Sequence, residues 1–466
     1  MSSAASASGA TAGAIPVKGI GHLKRVVTGP LLFAFIVGDT LGAGIYTLVG
    51  TMAADVGGVI WLPLLIALVA ALLTAGTYAE LITKYPHAGG AARYAERAFK
   101  VPYVSFLVGF LMMASGITTA AALANAFAGD YLAAVLPLPA GPTAVVFIAI
   151  LMLINLWGVR ESLTANLVAS VIEVTGLVIV IFCAAVLLGA GGGDPARVLE
   201  FTPNVGPLEG AFAASIVAFF SFLGFEAAAN MAEEVRNPSK VYPRALFAAL
   251  CTAAVVYLLI ALGAVIAVPP GDLAESSGPL LDVVRASGVG IPGWLFSLIA
   301  LVAIANGALL FMVMASRVAY GLAEARLLPT AFGRVLPNRR TPWVSILVIG
   351  GATMVLAVFG DVGTLAETTV LLLLLVFISA SVSVLVLKKD RVNHDHFNVP
   401  KVVPVLAIIA AVVLLTQQTG IAWLGSAGYV VVGTILFFVA QFSRKQEPAS
   451  AAEITPGDER EDISER

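Results

Sequence analysis

An all-α integral membrane protein with twelve transmembrane helices is the fold class this sequence predicts, and three observations carry it. Of its 466 residues 59% are hydrophobic and 12% charged, whereas a soluble domain averages about a quarter charged. Apolar runs recur along the chain at the roughly 20 residues needed to cross about 30 Å of hydrocarbon. Basic residues alternate between crowded and nearly empty connections.

The runs fall near 29–53, 58–83, 103–136, 142–158, 163–188, 209–231, 245–268, 293–322, 343–359, 363–387, 402–418 and 423–442. An even number puts both termini on one side. Lys18, Lys24 and Arg25 precede span 1; Arg93, Arg97 and Lys100 follow span 2; Arg236, Lys240 and Arg244 follow span 6; Arg334, Arg339 and Arg340 follow span 8. Lys388, Lys389 and Arg391 follow span 10, and of the 26 basic residues Arg197 and Arg285 alone fall on the opposite side. Basic loops stay inside, so both termini are expected in the cytoplasm and the chain in the plasma membrane.

Residues 1–23 are small and polar, carry no signal-peptide pattern and are expected to be disordered. Residues 24–442 form the helical domain, and 443–466 read as a charged cytoplasmic tail. The net charge of −2 gives no basic face for nucleic acid. Cys183 and Cys251 both lie inside apolar runs, so no disulfide-linked subunit is expected. His22 and His87 are isolated, and His394-Asp-His396 lacks a third ligand, so no metal site is expected. With no nucleotide-binding loop or nucleophile motif, the sequence supports neither an ATP-driven pump nor an enzyme, and it implies no cofactor.

Spans 1 and 6 carry the breaks. Span 1 holds Gly42-Ala43-Gly44 and span 6 runs Phe219-Phe-Ser221-Phe222-Leu-Gly-Phe-Glu226. Glycine weakens a helix by about 1 kcal/mol relative to alanine, and unwound backbone survives at membrane depth where it lines a cavity. Close helix packing is the other reading of these glycines. The first and sixth spans are corresponding places in a five-plus-five inverted repeat, about 29–188 and 209–387, with helices 11 and 12 at about 402–442 appended. Paired interruptions of that kind point to a transporter site. Amides of Gly42, Ala43 and Gly44 would attract a carboxylate, and carbonyls ending the inner half of span 1 and the first half of span 6 would attract an ammonium. An α-amino acid carries both.

Four stretches then resemble the amino acid permeases of the amino acid–polyamine–organocation superfamily. Gly42-Ala-Gly-Ile45-Tyr46 resembles the family's Gly-Ser/Thr-Gly-Ile-Phe/Tyr. Tyr78-Ala-Glu-Leu81 with Pro86-His-Ala-Gly-Gly90 and Tyr94 resembles its Tyr-Ala-Glu-Leu…Pro-x-Ser-Gly-Gly…Tyr. Gly224-Phe-Glu226 running into Glu233-Glu-Val-Arg-Asn-Pro-Ser-Lys240 and Pro243 is similar to the signature after span 6, and Ser316-Arg317 with Leu327-Leu-Pro329 and Thr341-Pro342 to the end of span 8. The likeness covers about residues 24–400. It implies the LeuT-like fold with helices 1 and 6 broken, and movement of amino acids or related amines by alternating access. Gly42, Ala43, Gly44, Ile45 and Ser221 are expected beside the substrate, and one of Phe219, Phe220 and Phe222 around the break at Ser221 is expected to close over it, with plain packing the other reading of these aromatics. Ala323-Glu-Ala-Arg326 and Ala88 depart from the family pattern, leaving the inner end of span 8 differently charged.

Glu173 is the third departure. It stands ten residues past Leu163, about 15 Å along a helix, near mid-membrane, on a narrow stripe with Asn166, Ser170 and Gly176. A carboxylate there costs about 2.5–3.5 kcal/mol, so the stripe should face protein or water. Aligning Gly158-Val-Arg-Glu-Ser162 with the family's Gly-Val-Lys-Glu-Ser puts Glu173 where proton-coupled members carry a lysine. Three roles are open to it: a proton-coupling group with inverted charge logic, a protonated group donating one structural hydrogen bond, or the partner of a cation, whether sodium or a cationic substrate. Asp39 faces the inner pathway or caps the broken helix. Glu226 reads as a structural or gating carboxylate, and Asn306 as a polar contact on the path.

Glu80, Glu233 and Glu234 read as solvated cytoplasmic surface, with a gate salt bridge that must break as the other reading, and Ala114, Ser115 and Gly116 of span 3 suggest room for a larger neutral substrate. The function expected is proton-coupled amino acid symport, with membrane lipid around it. An exchanger or a carrier of polyamines or cationic amino acids is the alternative in mechanism, and a non-transporting membrane sensor the alternative in class.

Overall fold

The computed structural model describes residues 27–86, 90–158, 163–202, 206–229, 235–337 and 339–446. Asn166 lies outside the described side chains, and His22, His87, Ala88, Glu233 and Glu234 lie outside the described residues altogether.

Seventeen α-helices follow one another among these residues. The first six are α1 Gly29–Thr40, α2 Ala43–Val56, α3 Trp61–Lys84, α4 Gly90–Phe99, α5 Pro102–Phe127 and α6 Asp130–Ala133. Next come α7 Ala140–Trp157, α8 Leu163–Gly189, α9 Pro207–Ser221, α10 Pro238–Ala267, α11 Pro270–Glu275 and α12 Pro279–Ala286. The chain ends with α13 Gly293–Glu324, α14 Trp343–Phe359, α15 Val362–Leu387, α16 Val402–Thr416 and α17 Gly420–Gln446. Among the described residues nine stretches are long and apolar enough to cross a membrane, α1 with α2 counting as one and α5 with α6 as another; α9, α14 and α16 are shorter apolar helices.

Local chemistry sets the ends. Proline opens α5, α9 and α10, where its missing N–H costs nothing because the first-turn amides have no helical acceptor. Gly158, at φ +81°, takes the left-handed turn that closes α7. The Asp361 carboxylate caps α15 by accepting the Thr364 N–H at 2.9 Å.

The core is built around α5, which is buried along nearly its whole length and packs on α13 and α15. A Cβ on Gly116 would stand 3.0 Å from the Phe311 carbonyl oxygen and 3.1 Å from the Ala315 methyl. Here the structure corrects the sequence reading: Gly116 lets α5 and α13 approach closely, and Ala114 and Ser115 beside it are fully buried, so this stretch is packed interior. By contrast α7, α8 and α17 expose most of their surface. On α8 the division follows helical spacing: Val168, Val171, Val178 and Phe182 face outward, while Ser170, Glu173, Leu177 and Val180 are buried.

A second correction concerns Glu80. It is 2% exposed and paired with Lys388, whose Nζ donates to Glu80 Oε2 at 2.6 Å. The Val399 N–H donates to the same oxygen at 2.9 Å, and Lys84 Nζ donates to the Leu387 carbonyl at 2.7 Å. Beside them Asp390 accepts from the Tyr85 hydroxyl at 2.7 Å and from Arg97 at 3.0 Å. Those two bonds hold the Asp390 carboxyl below the usual carboxylate range, and burial together with the bond to Asp390 pushes the Tyr85 phenol up. The end of α3 is thereby stitched to the end of α15 and the loop leading to α16.

Candidate functional site

Helix α1 stops at Thr40 and α2 starts at Ala43, with Leu41 and Gly42 between them. Helix α9 stops at Ser221 and the chain turns through Phe222–Glu226. The two interruptions meet. A Cβ on Gly44 would lie 3.0 Å from Ser221 Cα, and one on Gly224, which sits at φ +119°, would lie 2.9 Å from the Asp39 carbonyl oxygen. Glycine at 224 therefore answers both a backbone conformation that L side chains avoid and a close approach.

This geometry aims two opposed sets of backbone groups at one place. The first amides of α2 have no intrahelical acceptor, and the last carbonyls of α1 and α9 have no intrahelical donor. Tyr257 of α10 bridges the second set: its hydroxyl contacts the Thr40 carbonyl and, at 2.7 Å, the Ser221 carbonyl. One hydroxyl proton is shared between two acceptors, so those carbonyls retain lone pairs for a further donor.

Glu173 reaches the site from α8. Its backbone carbonyl accepts the Tyr46 hydroxyl at 2.6 Å, and the Tyr46 carbonyl accepts the Tyr131 hydroxyl at 2.7 Å. The first bond ties α8 to α2 and the second ties α2 to α6. Gly176 lets α8 approach α2, since a Cβ there would collide with Tyr46, and Gly38 lets α1 approach α8, since a Cβ there would collide with Ser170. Both carboxyl oxygens of Glu173 are buried without a hydrogen-bond partner, and Oε1 is 3.5 Å from where a Gly42 Cβ would stand.

Together these groups line a small cavity. Its walls are Asp39, Thr40, Gly42, Ala43 and Gly44 from the first interruption, Phe220, Ser221 and Leu223 from the second, Glu173, Leu123 of α5, and Asn306, Gly307, Leu310 and Phe311 of α13. The cavity volume is about 30 Å³, enough for about two waters. The Ser221 hydroxyl, also without a partner, lies 3.4 Å from the Gly44 Cβ position.

Of the residues singled out in the sequence, Gly42, Ala43, Gly44, Ser221, Asp39, Glu173 and Asn306 line this cavity. Ile45, Phe219 and Phe222 do not. Ile45 is fully buried, Phe219 packs edge-on against Phe377, and Phe222 packs edge-on against Tyr257. Phe220 and Leu223 are the apolar residues at that wall. Glu226 stands behind it, accepting the Gly224 N–H at 2.9 Å, and so holds the turn. Tyr257, Leu123, Leu310 and Phe311 were not foreseen; a tyrosine midway along an apolar helix was the signal for the first, and the others carry none. Among the described residues no cluster of His, Cys, Asp and Glu could hold a metal ion.

A multi-pass helical membrane protein with a buried polar cavity between an interrupted helix and the end of a second helix is the class these features define. The sequence model of the amino acid permease family matches residues 30–450, and the chain belongs to that family. It is 32% identical over 391 residues to the vacuolar cationic amino acid transporter 4 of Arabidopsis thaliana, covering 79% of this chain and 64% of that longer protein. It is 27% identical to the methylthioribose transporter of Bacillus subtilis, over 88% of this chain and 91% of the relative. The branched-chain amino acid permease BcaP of the same bacterium is 24% identical over 91% and 94%. Family and relatives point to a transporter rather than an enzyme.

Proposed function

We propose that this protein carries amino acids across the plasma membrane by alternating access, coupled to protons through Glu173. In this reading the chain crosses twelve times with both termini in the cytoplasm, and spans 1–5 and 6–10 form the inverted repeat. The observation that carries it is the meeting of helix-terminal amides and carbonyls at one cavity beside a carboxyl group with no hydrogen-bond partner. The cavity admits about two waters as it stands, so the site opens to load, and the substrate carboxylate then docks on the α2 amides and its ammonium on the Thr40 and Ser221 carbonyls.

Coupling then follows from charge. An ionised Glu173 beside Gly42 repels the substrate carboxylate, whereas a protonated one does not, so substrate and proton load together. A carboxyl locked in one structural hydrogen bond is disfavoured by the absence of a partner at either oxygen. Uptake into proteoliposomes with and without an inward proton gradient tests the reading. Binding without flux would favour a sensor, and gradient-independent counterflow an exchanger.

A further inference from the structure

We propose that Tyr46 and Tyr131 are positioning residues for Glu173: they tie it to the cap formed by α11 and α12, so that the carboxyl is held at Gly42 only while that cap is closed. This rests on the reading of Glu173 as the coupling group.

The cap packs on α2, α8, α10 and α13, on the face that the proposed topology puts outside. Leu273, Leu280, Leu281 and Val283 are its fully buried underside, and Gly50 of α2 admits it, since a Cβ there would collide with the Leu273 carbonyl. A clasp fastens it to α6. The Asp130 N–H donates to Ser277 Oγ and the Ser277 N–H to Asp130 Oδ2, each at 2.9 Å. Both residues are exposed, so water competes for these bonds and the clasp can open.

Next to the clasp stands Tyr131, fully buried. The Leu280 N–H of α12 faces its hydroxyl, which donates to the Tyr46 carbonyl at 2.7 Å, and the Tyr46 hydroxyl donates to the Glu173 carbonyl at 2.6 Å. The bonds therefore run in series from the cap to the residue that carries the coupling carboxyl. Gly176 closes another side of the Tyr46 hydroxyl, where a Cβ would collide with it, so sliding α8 past α2 breaks the bond.

The same two rings close the way in. Tyr46, Tyr131 and Phe296 have ring centroids 6.4 to 6.5 Å apart. Each stands nearer the cap than the cavity-lining residues of its own stretch: Tyr46 follows Gly44, Tyr131 follows Leu123 and Phe296 precedes Asn306. Loading from outside must part this layer. Parting the rings separates Tyr131 from Tyr46 and Tyr46 from Glu173; water that enters then exchanges the Glu173 proton, and closure returns the carboxyl to Gly42. The titratable groups that face Glu173 are Asp39 of α1, Tyr46 of α2 and Tyr257 of α10. Helix α13 presents Asn306, and Asp282 of α12 faces Tyr131.

The test uses the full chain in phosphatidylethanolamine–phosphatidylglycerol vesicles. Labelling of Glu173 by dicyclohexylcarbodiimide is followed by mass spectrometry at acid pH, where the carboxyl is protonated, and binding of labelled leucine is measured across pH. Tyr46→Phe and Tyr131→Phe keep the rings and remove the bonds. Each should speed labelling about tenfold, the shift in open population that one lost hydrogen bond supports. Each should also move the fall in leucine binding by about one pH unit towards acid, because a better hydrated carboxyl ionises more readily. Since the bonds act in series, the double variant should exceed neither single variant. Opening the clasp with Asp130→Ala and Ser277→Ala should act in the same direction. Trp61→Phe removes a bond on the same face, to the Val198 carbonyl at 2.9 Å, and should leave both readouts unchanged. If Tyr46→Phe does not fold, Tyr131→Phe and the clasp variant decide. Unchanged labelling and pH profile in the tyrosine variants, whatever their stability, overturn the inference, and so does an equal response in Trp61→Phe. A wild type whose leucine binding ignores pH overturns the coupling reading, while labelling alone still decides the link to the cap.

Discussion

Replacing Glu173 by Gln removes the ionisable group and keeps nearly the same shape. In the wild type, a carboxylate docked on the α2 amides would stand about 5 Å from an ionised Glu173, which at an effective dielectric of about 20 is a repulsion of about 3 kcal/mol. At about 1.4 kcal/mol per decade, that amounts to about a hundredfold difference in substrate affinity between the two protonation states. By reciprocity the bound substrate strengthens proton binding by the same factor. Equilibrium binding of leucine measured across pH should therefore fall about a hundredfold in the wild type as Glu173 ionises. Glu173→Gln should bind with the stronger affinity throughout and show a flat profile. In proteoliposomes it should equilibrate leucine but not accumulate it against a gradient. A variant that still concentrates substrate, with the wild-type pH dependence, would refute the coupling role.

Three further outcomes are expected. Tyr257→Phe leaves the Thr40 and Ser221 carbonyls without their shared donor; the unfolding free energy in detergent should fall by about 1–3 kcal/mol and turnover should slow. Lys388→Met strands the buried Glu80 carboxylate and should cost about 3 kcal/mol, read as a lowered thermal midpoint, with Glu80→Leu in the same chain recovering most of the loss. Because the Asp390 carboxyl is held low by Tyr85 and Arg97, its contacts are fully present above the ordinary Asp range near about pH 4 and are lost as pH falls through the depressed value. Hydrogen exchange of the 388–400 loop should accordingly rise on acidification, and Asp390→Asn should remove that acid step.

The membrane class, the placing of the apolar helices and the interruption at Gly42 were legible because they rest on local properties: length, hydropathy and glycine. The inward stripe of α8 was legible for the same reason. Ser170, Glu173 and Gly176 repeat at helical spacing, and a charge at that depth cannot face lipid.

What packing decided lies between elements. Phe219 and Phe222 are three residues apart, as are Phe220 and Leu223, so helical period offers two adjoining faces and no means of choosing between them. The choice came from Phe377 and Tyr257, which cover the first pair and leave the second at the cavity. Glu80 looked like surface because its partner is 308 residues away in the chain. Gly116 looked like empty space until α13 filled it. Sequence alone established a membrane-embedded chain with a broken first helix and a buried acid, since each is the response of a short segment to lipid or to backbone strain. The tertiary structure alone decided which side chains share the cavity, because that depends on the rotation of each helix against neighbours distant in the chain.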